Sequence, residues 1–419
     1  MEKKFVIRNS PATDAFEHPQ TRNIYNMCAI VFLGLSLYTL GNEYLTTGRV
    51  TFGFEVIKTC FVHLDKAIFI WSCCFASVCA LFFVFKVWLS LRTYARGMAI
   101  VYDRLGLACL VLYYFYSFKL ATDAVRYFSF NFSCILIVTL EQTRFLMKVH
   151  AFVRSKASEE LPRLSFSNYL YFLFAPTLIY RDAYPRTKTI NWNFVTQSFL
   201  EWVAGFFAFV FCAMNCFPTS ERWAQKFTVN EVLLLILEKT GYALIILTGI
   251  FVTLWHSFHN FWAEILQFGD RLFYSDWWNE HTYNGWLVKW NKVVQDWLYY
   301  YVYLEFRKHI CDNVLLAKLT VFLLSFVVHE WVVFCCTGGL VPVTFFVFVV
   351  VGLPLTFFEI PKNMFTVVIF WCSFILAFFS AFTVFSLEWY ARSQSPVTNP
   401  TFWDFVVPRF LTCDCVLKI

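Results

Sequence analysis

The chain alternates long uncharged apolar stretches with polar connections. An α-helix needs about 20 mostly apolar residues to cross the hydrocarbon core of a bilayer. Nine stretches approach or reach that length: Asn23–Asn42, Ala67–Phe85, Leu105–Phe118, Tyr127–Leu140, Trp202–Phe217, Thr240–Trp262, Leu319–Phe334, Leu340–Phe358 and Met364–Leu387. The third, fourth and fifth are short and need flanking residues or a tilt. The pattern predicts an all-α polytopic membrane protein with about nine transmembrane helices.

Positive charge is distributed unevenly among the connections between these stretches. It concentrates in the second, fourth and sixth connections, at Lys86, Arg92, Arg96, Arg154, Lys156, Arg163, Arg181, Arg186, Lys188, Arg271, Lys289, Lys292, Arg307 and Lys308. The seventh and eighth connections carry almost none. Because loops rich in Lys and Arg stay in the cytosol, we predict cytosolic even-numbered connections, a cytosolic N-terminus and a luminal C-terminus.

The first 22 residues are polar and mixed in charge, without a short apolar core and a small-residue cleavage site. We therefore expect a retained signal anchor and no cleaved signal peptide. The chain has no internal repeat, low-complexity run or linker that would split it. We divide it into a cytosolic N-terminal segment, residues 1–22, and a single membrane domain, residues 23–419.

Two of the predicted cytosolic connections are unusually apolar. One runs from Tyr169 to a break at Pro176 and on to Arg186, and the other covers residues 263–313 and is dense in Trp and Tyr. Trp and Tyr favour the headgroup region of a membrane, where an apolar ring and a polar edge are both satisfied. We expect both segments to lie on or partly in the membrane as amphipathic helices.

The composition agrees with lipid as the main solvent. Hydrophobic residues make up 59% of the chain and charged residues 15%, against about 25% charged in soluble domains. The net charge of +6 forms no cluster that would suit a nucleic acid. Most of the 15 Cys lie in apolar stretches and none forms a C-x-x-C pair, so we interpret them as small buried hydrophobes. Only Cys413 and Cys415 are expected to be exposed.

His329 lies deep in the seventh stretch, where an ionisable residue is costly and is a candidate for function. Burial favours the neutral imidazole, which can take a proton from a hydroxyl group. Ser325 precedes it by four residues and therefore shares its helical face. A structural histidine that packs between helices is an equally good interpretation of the residues alone.

Two other polar groups lie in or next to the predicted spans, and a third lies in the cytosolic aromatic segment. His256 and His259 stand three residues apart and could share a metal, but no further ligand cluster accompanies them, so packing histidines are favoured. Glu141 and Arg144 are spaced for an ion pair along one helix. Trp290-Asn291 lies in the aromatic segment, where the Asn amide could hold a carbonyl oxygen as charge develops on it. An Asn there is more often solvated or a helix cap, and the aromatic residues more often form an interfacial belt.

At these residues the chain resembles a known family. Phe273–Asn279 reads F-Y-S-D-W-W-N and is followed by Trp290-Asn291, by Asp296–Tyr301 and by the intramembrane Val328–Glu330. As a set, these strings resemble the membrane-bound O-acyltransferase superfamily, in the branch that esterifies sterols or diacylglycerol. The similarity to sterol O-acyltransferases is greater. It extends through the strings Tyr169–Arg186, Glu388–Arg392 and Asn399–Phe402.

The resemblance implies roles for several residues. It implies nine helices around a tunnel, long-chain acyl-CoA entering from the cytosol, a sterol entering from the bilayer, and homodimers or homotetramers in the endoplasmic reticulum membrane. His329 would be the general base on the sterol hydroxyl, and Asn291 would polarise the thioester carbonyl. Trp290, Tyr303 and Ser325 would line the acyl-CoA path. The motif residues are Phe273, Tyr274, Asp276, Trp277, Trp278 and Asn279. Acyl-CoA is a co-substrate, and neither a cofactor nor a metal is implied.

The chain departs from the family pattern where the family contacts CoA. The altered positions are Gly285, Val288, Gln295 and Val314. Lys289 or Lys292 could supply a point charge there. Ser395 replaces the luminal Cys that pairs with Cys413 in the family, so that disulfide is expected to be absent. Asn26 stands where the family has a histidine near the first span.

The sequence therefore predicts a sterol O-acyltransferase. A diacylglycerol acyltransferase uses the same machinery on another alcohol and is the first alternative. A non-catalytic sterol-binding or transport protein is the alternative of a different class. A transporter would be expected to show internal symmetry or paired broken helices, and the sequence shows neither.

Overall fold

The computed structural model describes residues 3–51, 53–157, 163–216, 226–341, 345, 350, 352–358, 360–397, 401–413 and 415–417. Helices account for its regular structure, and the described residues form only isolated β-bridges. In chain order the helices are α1 (Pro11–Glu17), α2 (Pro19–Thr47), α3 (Phe54–Cys60), α4 (Leu64–Tyr94), α5 (Ala99–Tyr127), α6 (Phe132–Ala157), α7 (Phe166–Phe174), α8 (Trp192–Cys216), α9 (Val229–Ile250), α10 (His259–Ile265), α11 (Tyr283–Trp290), α12 (Lys292–Leu298), α13 (Leu304–His309), α14 (Val314–Thr337), α15 (Leu353–Leu355), α16 (Met364–Gln394), α17 (Phe402–Val406) and α18 (Arg409–Thr412). Two π-helices, Phe251–Phe258 and Tyr299–Tyr303, join α9 to α10 and α12 to α13.

Five of the described helices are long and apolar enough to cross a membrane: α2, α4, α5, α14 and α16. They carry the first, second, third, seventh and ninth predicted spans. The fourth, fifth and sixth predicted spans fall on α6, α8 and α9 with its π-helical extension. Residues 342–344, 346–349 and 351 of the eighth, Leu340–Phe358, lie outside the described residues, as do Asn399 and Pro400 of the C-terminal string. The all-helical, multi-pass class is confirmed at this level.

Polar residues define where the long helices begin. The Asn313 Oδ1 accepts from the backbone N–H of Leu316 (3.1 Å) and starts α14, which ends at Gly338 with φ of 80°. Asn363 starts α16 in the same way, and Thr228 starts α9 in a reciprocal pair with Glu231. Side-chain acceptors here satisfy N–H groups that a helix leaves unpaired at its first turn.

Helix α6 extends past the predicted end of the fourth span at Leu140 because its polar side chains are paired. Arg144 Nε donates to the Glu141 carboxylate (2.6 Å), which also accepts from the indole N–H of Trp71 (2.7 Å). Arg144 Nη1 donates in turn to the Leu173 carbonyl (2.6 Å). The predicted structural ion pair is confirmed, and it connects α6 to both α4 and α7.

Helix α7 buries one face in the protein core and leaves Phe166 and Phe174 exposed, so the expectation of an amphipathic helix on or partly in the membrane stays a prediction. Tyr169, Phe172 and Leu173 are fully buried against α4 and α6. The Lys148 ammonium group, also buried, donates to the carbonyls of Phe172 (2.5 Å) and Ala175 (2.7 Å). Lys148 thus satisfies the Phe172 carbonyl, which the end of α7 would otherwise bury without a donor, and is a second donor to the Ala175 carbonyl, which also accepts from Thr177 N (2.8 Å).

Contacts between connections sort them into two groups. The N-terminal segment and the fourth, sixth and eighth connections meet one another, through Arg8 with Asp270, Asn191 with Glu264, and Lys362 with Asn279. On the other side, Asn131 between α5 and α6 contacts Thr59 between α2 and α4. The C-terminal residues contact the residues before α9, through Phe227 with Val416, and those after α14, through Leu340 with Phe405. Alternate crossings of a membrane would produce this grouping.

The C-terminal residues form a small buried cluster with a disulfide between Cys413 and Cys415. Cys413 is 6% exposed, so the expectation that both cysteines are exposed is wrong for Cys413. It is buried because Phe227, Leu387 and Val416 pack around it. Ser395 instead accepts a hydrogen bond from Arg409 Nη2 (2.8 Å).

Candidate active site

The F-Y-S-D-W-W-N segment lies between α10 and α11 and is anchored by its aromatic residues. Phe273, Tyr274 and Trp277 are buried. On either side of Tyr274, the backbone bonds to residues that flank Trp290-Asn291. Ser275 N donates to the Lys289 carbonyl (2.8 Å), and Lys292 N donates to the Phe273 carbonyl (2.9 Å). We call these two bonds the clamp, because together they hold the backbone that carries Asn291.

Asn291 lies at the joint between α11 and α12. Its Oδ1 accepts from the Val294 backbone N–H (3.1 Å) and so caps α12. The capping interpretation is therefore correct for the oxygen. The Nδ2 group donates to no partner within the described residues. An amide whose oxygen is fixed at a helix start holds its N–H₂ group in a defined direction, available to a ligand carbonyl.

Aromatic rings surround Trp290. Trp286 stacks on it with ring centroids 4.9 Å apart, and Trp277 packs edge-on at 4.8 Å. Phe251 and Trp255 lie at 6.0 Å. Among the described residues, the indole N–H groups of Trp255, Trp277 and Trp286 are buried without an acceptor. The cluster is thus an apolar wall with unused donors beside Asn291.

His329 lies in the second half of α14. Its Nδ1–H donates to the Ser325 carbonyl (2.7 Å), and the Ser325 hydroxyl lies 3.5 Å from the same nitrogen. The predicted neighbourhood of the two residues on one helical face is confirmed. The bond to a carbonyl assigns the proton to Nδ1, so Nε2 carries the lone pair of the neutral ring. The adjacent Glu330 is buried and accepts from the Val341 N–H (2.5 Å).

The second π-helix brings α14 close to the aromatic segment. Residues Tyr299–Tyr303 pack against α14. Tyr303 stacks on Tyr299 with centroids 5.6 Å apart, and its hydroxyl accepts from Arg307 Nη1 (3.5 Å). The bonds described above hold His329 within α14 and Asn291 within the α11–α12 joint. The two residues are therefore positioned by separate elements, which meet at this π-helix.

The lysines near Asn291 are held in ion pairs with acidic side chains. Lys289 Nζ lies 2.8 Å from Asp276 and 2.6 Å from Glu280. The hydrogen bond from Lys289 lowers the pKa of the Asp276 carboxyl below its usual value. Lys292 Nζ donates to Gln295 Oε1 (2.6 Å). A phosphate that binds either lysine has to compete with these partners.

The other altered positions near Asn291 differ in their surroundings. Val288 and Val314 are exposed apolar residues. Gly285 fits closely under Glu280, since a Cβ atom at Gly285 would lie 2.0 Å from Glu280 Oε2.

His256 belongs to a buried polar network that includes a residue absent from the sequence-based predictions, Ser10. Tyr274 OH lies 2.6 Å from His256 Nδ1 and donates to Ser10 Oγ (3.1 Å), which also accepts from Asn260 Nδ2 (3.1 Å). His259 bonds instead to the Leu254 carbonyl (2.5 Å). The described residues contain no cluster of three or more His, Cys, Asp or Glu side chains suited to a metal. A lone Ser in a polar N-terminal segment gives no sequence signal for this contact.

Comparison with known proteins gives a consistent assignment. The model of the MBOAT, membrane-bound O-acyltransferase family, matches residues 60–391. The chain is 34% identical over 433 residues to sterol O-acyltransferase 1 of Mus musculus, covering 98% of this chain and 79% of that protein. It is 32% identical over 425 residues to sterol O-acyltransferase 2 of Homo sapiens, covering 98% of this chain and 80% of that protein. The chain belongs to the membrane-bound O-acyltransferase family.

Proposed function

We propose that this protein transfers a fatty acyl group from long-chain acyl-CoA to the 3-hydroxyl of a sterol. The observation that carries the substrate class is the similarity to two sterol O-acyltransferases along 98% of the chain. The family assignment supports the reaction type. The product is a steryl ester, which suits storage because it lacks the polar hydroxyl group of the free sterol.

His329 acts as the general base. Its Nδ1–H donates to the Ser325 carbonyl, and this supports Nε2 as the proton acceptor. The proton of the sterol hydroxyl goes to Nε2 as the hydroxyl oxygen forms a bond to the thioester carbonyl carbon. The tetrahedral intermediate then breaks its C–S bond. The CoA thiolate leaves and takes the proton from the imidazolium, which returns His329 to the neutral form.

Asn291 stabilises the negative charge that develops on the thioester oxygen. Its Nδ2 donor is oriented by the capping bond from Oδ1 to Val294, so it does not have to reorganise during the reaction. Trp290, Tyr303 and Ser325 line the acyl-CoA path. The thiolate is a good leaving group, so the mechanism uses no covalent enzyme intermediate, cofactor or metal.

We place the protein in the endoplasmic reticulum membrane with nine spans, a cytosolic segment 1–22 and one domain 23–419. The two groups of connections support a cytosolic N-terminus and a luminal C-terminus. The Cys413–Cys415 disulfide supports the same orientation, because disulfides persist in the oxidising lumen and are rare in the cytosol. The relatives support assembly as a homodimer or homotetramer only by analogy.

The test uses the purified protein in detergent with labelled oleoyl-CoA, offered either cholesterol or diacylglycerol. Cholesteryl ester is the expected product, and His329→Ala and Asn291→Ala are expected to abolish or sharply reduce it. His18→Ala, an exposed histidine without a capping bond, is the matched control and keeps full activity. Ester from diacylglycerol alone excludes the sterol assignment. Sterol binding without ester formation favours a non-catalytic sterol-binding protein.

A further inference from the structure

The N-terminal segment is bound tightly to the wall of the candidate active site. Arg8 makes two bonds to the Asp270 carboxylate (2.7 and 3.0 Å), and its backbone N–H donates to the Gly269 carbonyl (2.9 Å). Lys3 pairs with Asp296 (2.6 Å). These contacts deliver Ser10 to a fully buried position between α10 and the F-Y-S-D-W-W-N segment.

At that position the Ser10 hydroxyl oxygen accepts hydrogen bonds from two buried donors. Ser10 Oγ accepts from Tyr274 OH and from Asn260 Nδ2, each at 3.1 Å. Tyr274 and Asn260 are themselves fully buried. Burial raises the pKa of Tyr274, so its hydroxyl keeps its proton at neutral pH and remains a donor. Water cannot replace Ser10 as an acceptor at a site without accessible surface. The other acceptor, His256 Nδ1, lies 2.6 Å from Tyr274 OH and 3.2 Å from Asn260 Nδ2, so without Ser10 the two donors compete for this one nitrogen.

Tyr274 is the centre of the clamp. The residue before it, Phe273, accepts from Lys292 N, and the residue after it, Ser275, donates to Lys289 O. Asn291 lies between these two attachment points. A rotation or retreat of Tyr274 therefore moves the backbone on both sides of Asn291. The path from Ser10 to Asn291 consists of one side-chain hydrogen bond and two backbone hydrogen bonds.

We propose that Ser10 is a positioning residue for the acyl transfer, acting through Tyr274 and the clamp to set the position of Asn291. This inference rests on the proposed function for its kinetic consequence. It assigns the N-terminal segment a part in the reaction, although Ser10 touches neither substrate.

The experiment is a double-mutant cycle on steryl ester formation. We expect Ser10→Ala to lower kcat by roughly tenfold, the usual result of losing one buried hydrogen bond. The KM for oleoyl-CoA should stay within about twofold, because an interaction made in the transition state is affected more than binding. In an Asn291→Ala background, Ser10→Ala should cause no further loss. A purely structural role predicts the same fold loss in both backgrounds, and that result would overturn the proposal.

Three controls keep the outcomes distinct. Ser36→Ala removes a hydroxyl bonded only to a carbonyl of its own helix, at Phe32, and should leave kcat unchanged. If Ser10→Ala does not fold, Tyr274→Phe removes the same bond from the other side and should show the same dependence on Asn291. If the wild-type protein makes no ester, the proposed function fails, and hydrogen exchange of the Lys292 amide decides about Ser10. Faster exchange of that amide in Ser10→Ala supports the positioning role, and unchanged exchange contradicts it.

Discussion

Replacing Arg8 with alanine tests how strongly the N-terminal segment is held. The Asp270 carboxylate is 1% exposed and accepts four donors: Arg8 Nε (2.7 Å), Arg8 Nη2 (3.0 Å), Val6 N (3.3 Å) and Leu272 N (3.4 Å). Arg8→Ala removes the two short, charge-assisted bonds and leaves a buried carboxylate with two long ones. The Arg8 side chain is 35% exposed, so water reaches the vacated carboxylate and breaking the pair costs about 1.5 kcal/mol, less than for a fully buried pair. That cost corresponds to about a tenfold increase in local opening.

Hydrogen exchange measures that opening directly. The Arg8 backbone amide donates to the Gly269 carbonyl, and it is present whatever the side chain at position 8. Exchange of this amide therefore reports release of the segment. We expect about tenfold faster exchange across residues 3–10 in a peptide-resolved experiment at neutral pH. Lys119→Ala is the control, because its pair with Asp123 is about half exposed on both sides and contributes below about 0.5 kcal/mol. Unchanged exchange in Arg8→Ala, or equal acceleration in Lys119→Ala, would refute the reasoning.

Three further predictions concern other contacts. Lys148→Met leaves the buried Phe172 carbonyl without a donor, while the Ala175 carbonyl keeps its bond from Thr177 N. The change should destabilise the protein by about 2 kcal/mol in detergent unfolding, whereas equal stability would show that the Phe172 carbonyl finds another donor. Gly285→Ala forces the Glu280 carboxylate aside and should cost about 1 kcal/mol. In a Glu280→Ala background that cost should shrink to the part caused by Thr282 Oγ1, which a Cβ atom at Gly285 would approach to 2.9 Å. Hydrogen bonding from Lys289 lowers the pKa of Asp276, so its stabilising contribution is present at neutral pH and is lost as the pH falls through that lowered pKa. The stability difference between wild type and Asp276→Asn should therefore shrink from pH 7 to pH 3, and a constant difference would contradict the assignment.

The spanning helices could be predicted because lipid imposes a simple rule on the sequence. A span needs a continuous apolar run, and that run is visible without knowing what it contacts. The rule does not show how far a helix continues beyond its span: α6 runs on past Leu140 because the Glu141–Arg144 pair satisfies its charges along the helix. Nor does it show that one face of α7, with Tyr169, Phe172 and Leu173, packs into the protein core.

In the candidate site, too, some contacts could be predicted from the sequence and others could not. His329 and its relation to Ser325 follow from helical spacing, so the sequence was enough. The contact of Ser10 with Tyr274 joins residues 264 positions apart, and no local pattern predicts it. The burial of Cys413 likewise depends on the residues before α9, which lie far away in sequence. Contacts between residues far apart in sequence depend on how the whole chain folds, so local sequence patterns could not predict them.

The clamp has a consequence for how this part of the protein tolerates change. The two hydrogen bonds close residues 276–288 into a loop whose ends are tied at Ser275–Lys289, with Lys292–Phe273 just beyond. Substitutions at loop positions that do not pack against Trp290 can accumulate without moving Asn291, because the closure fixes its place from outside the loop. Val288 and Gly285 can thus differ from the family pattern while Trp290-Asn291 is retained. Natural variation should be freer at exposed loop positions such as Val288 than at Trp277 and Trp286, whose rings pack on Trp290.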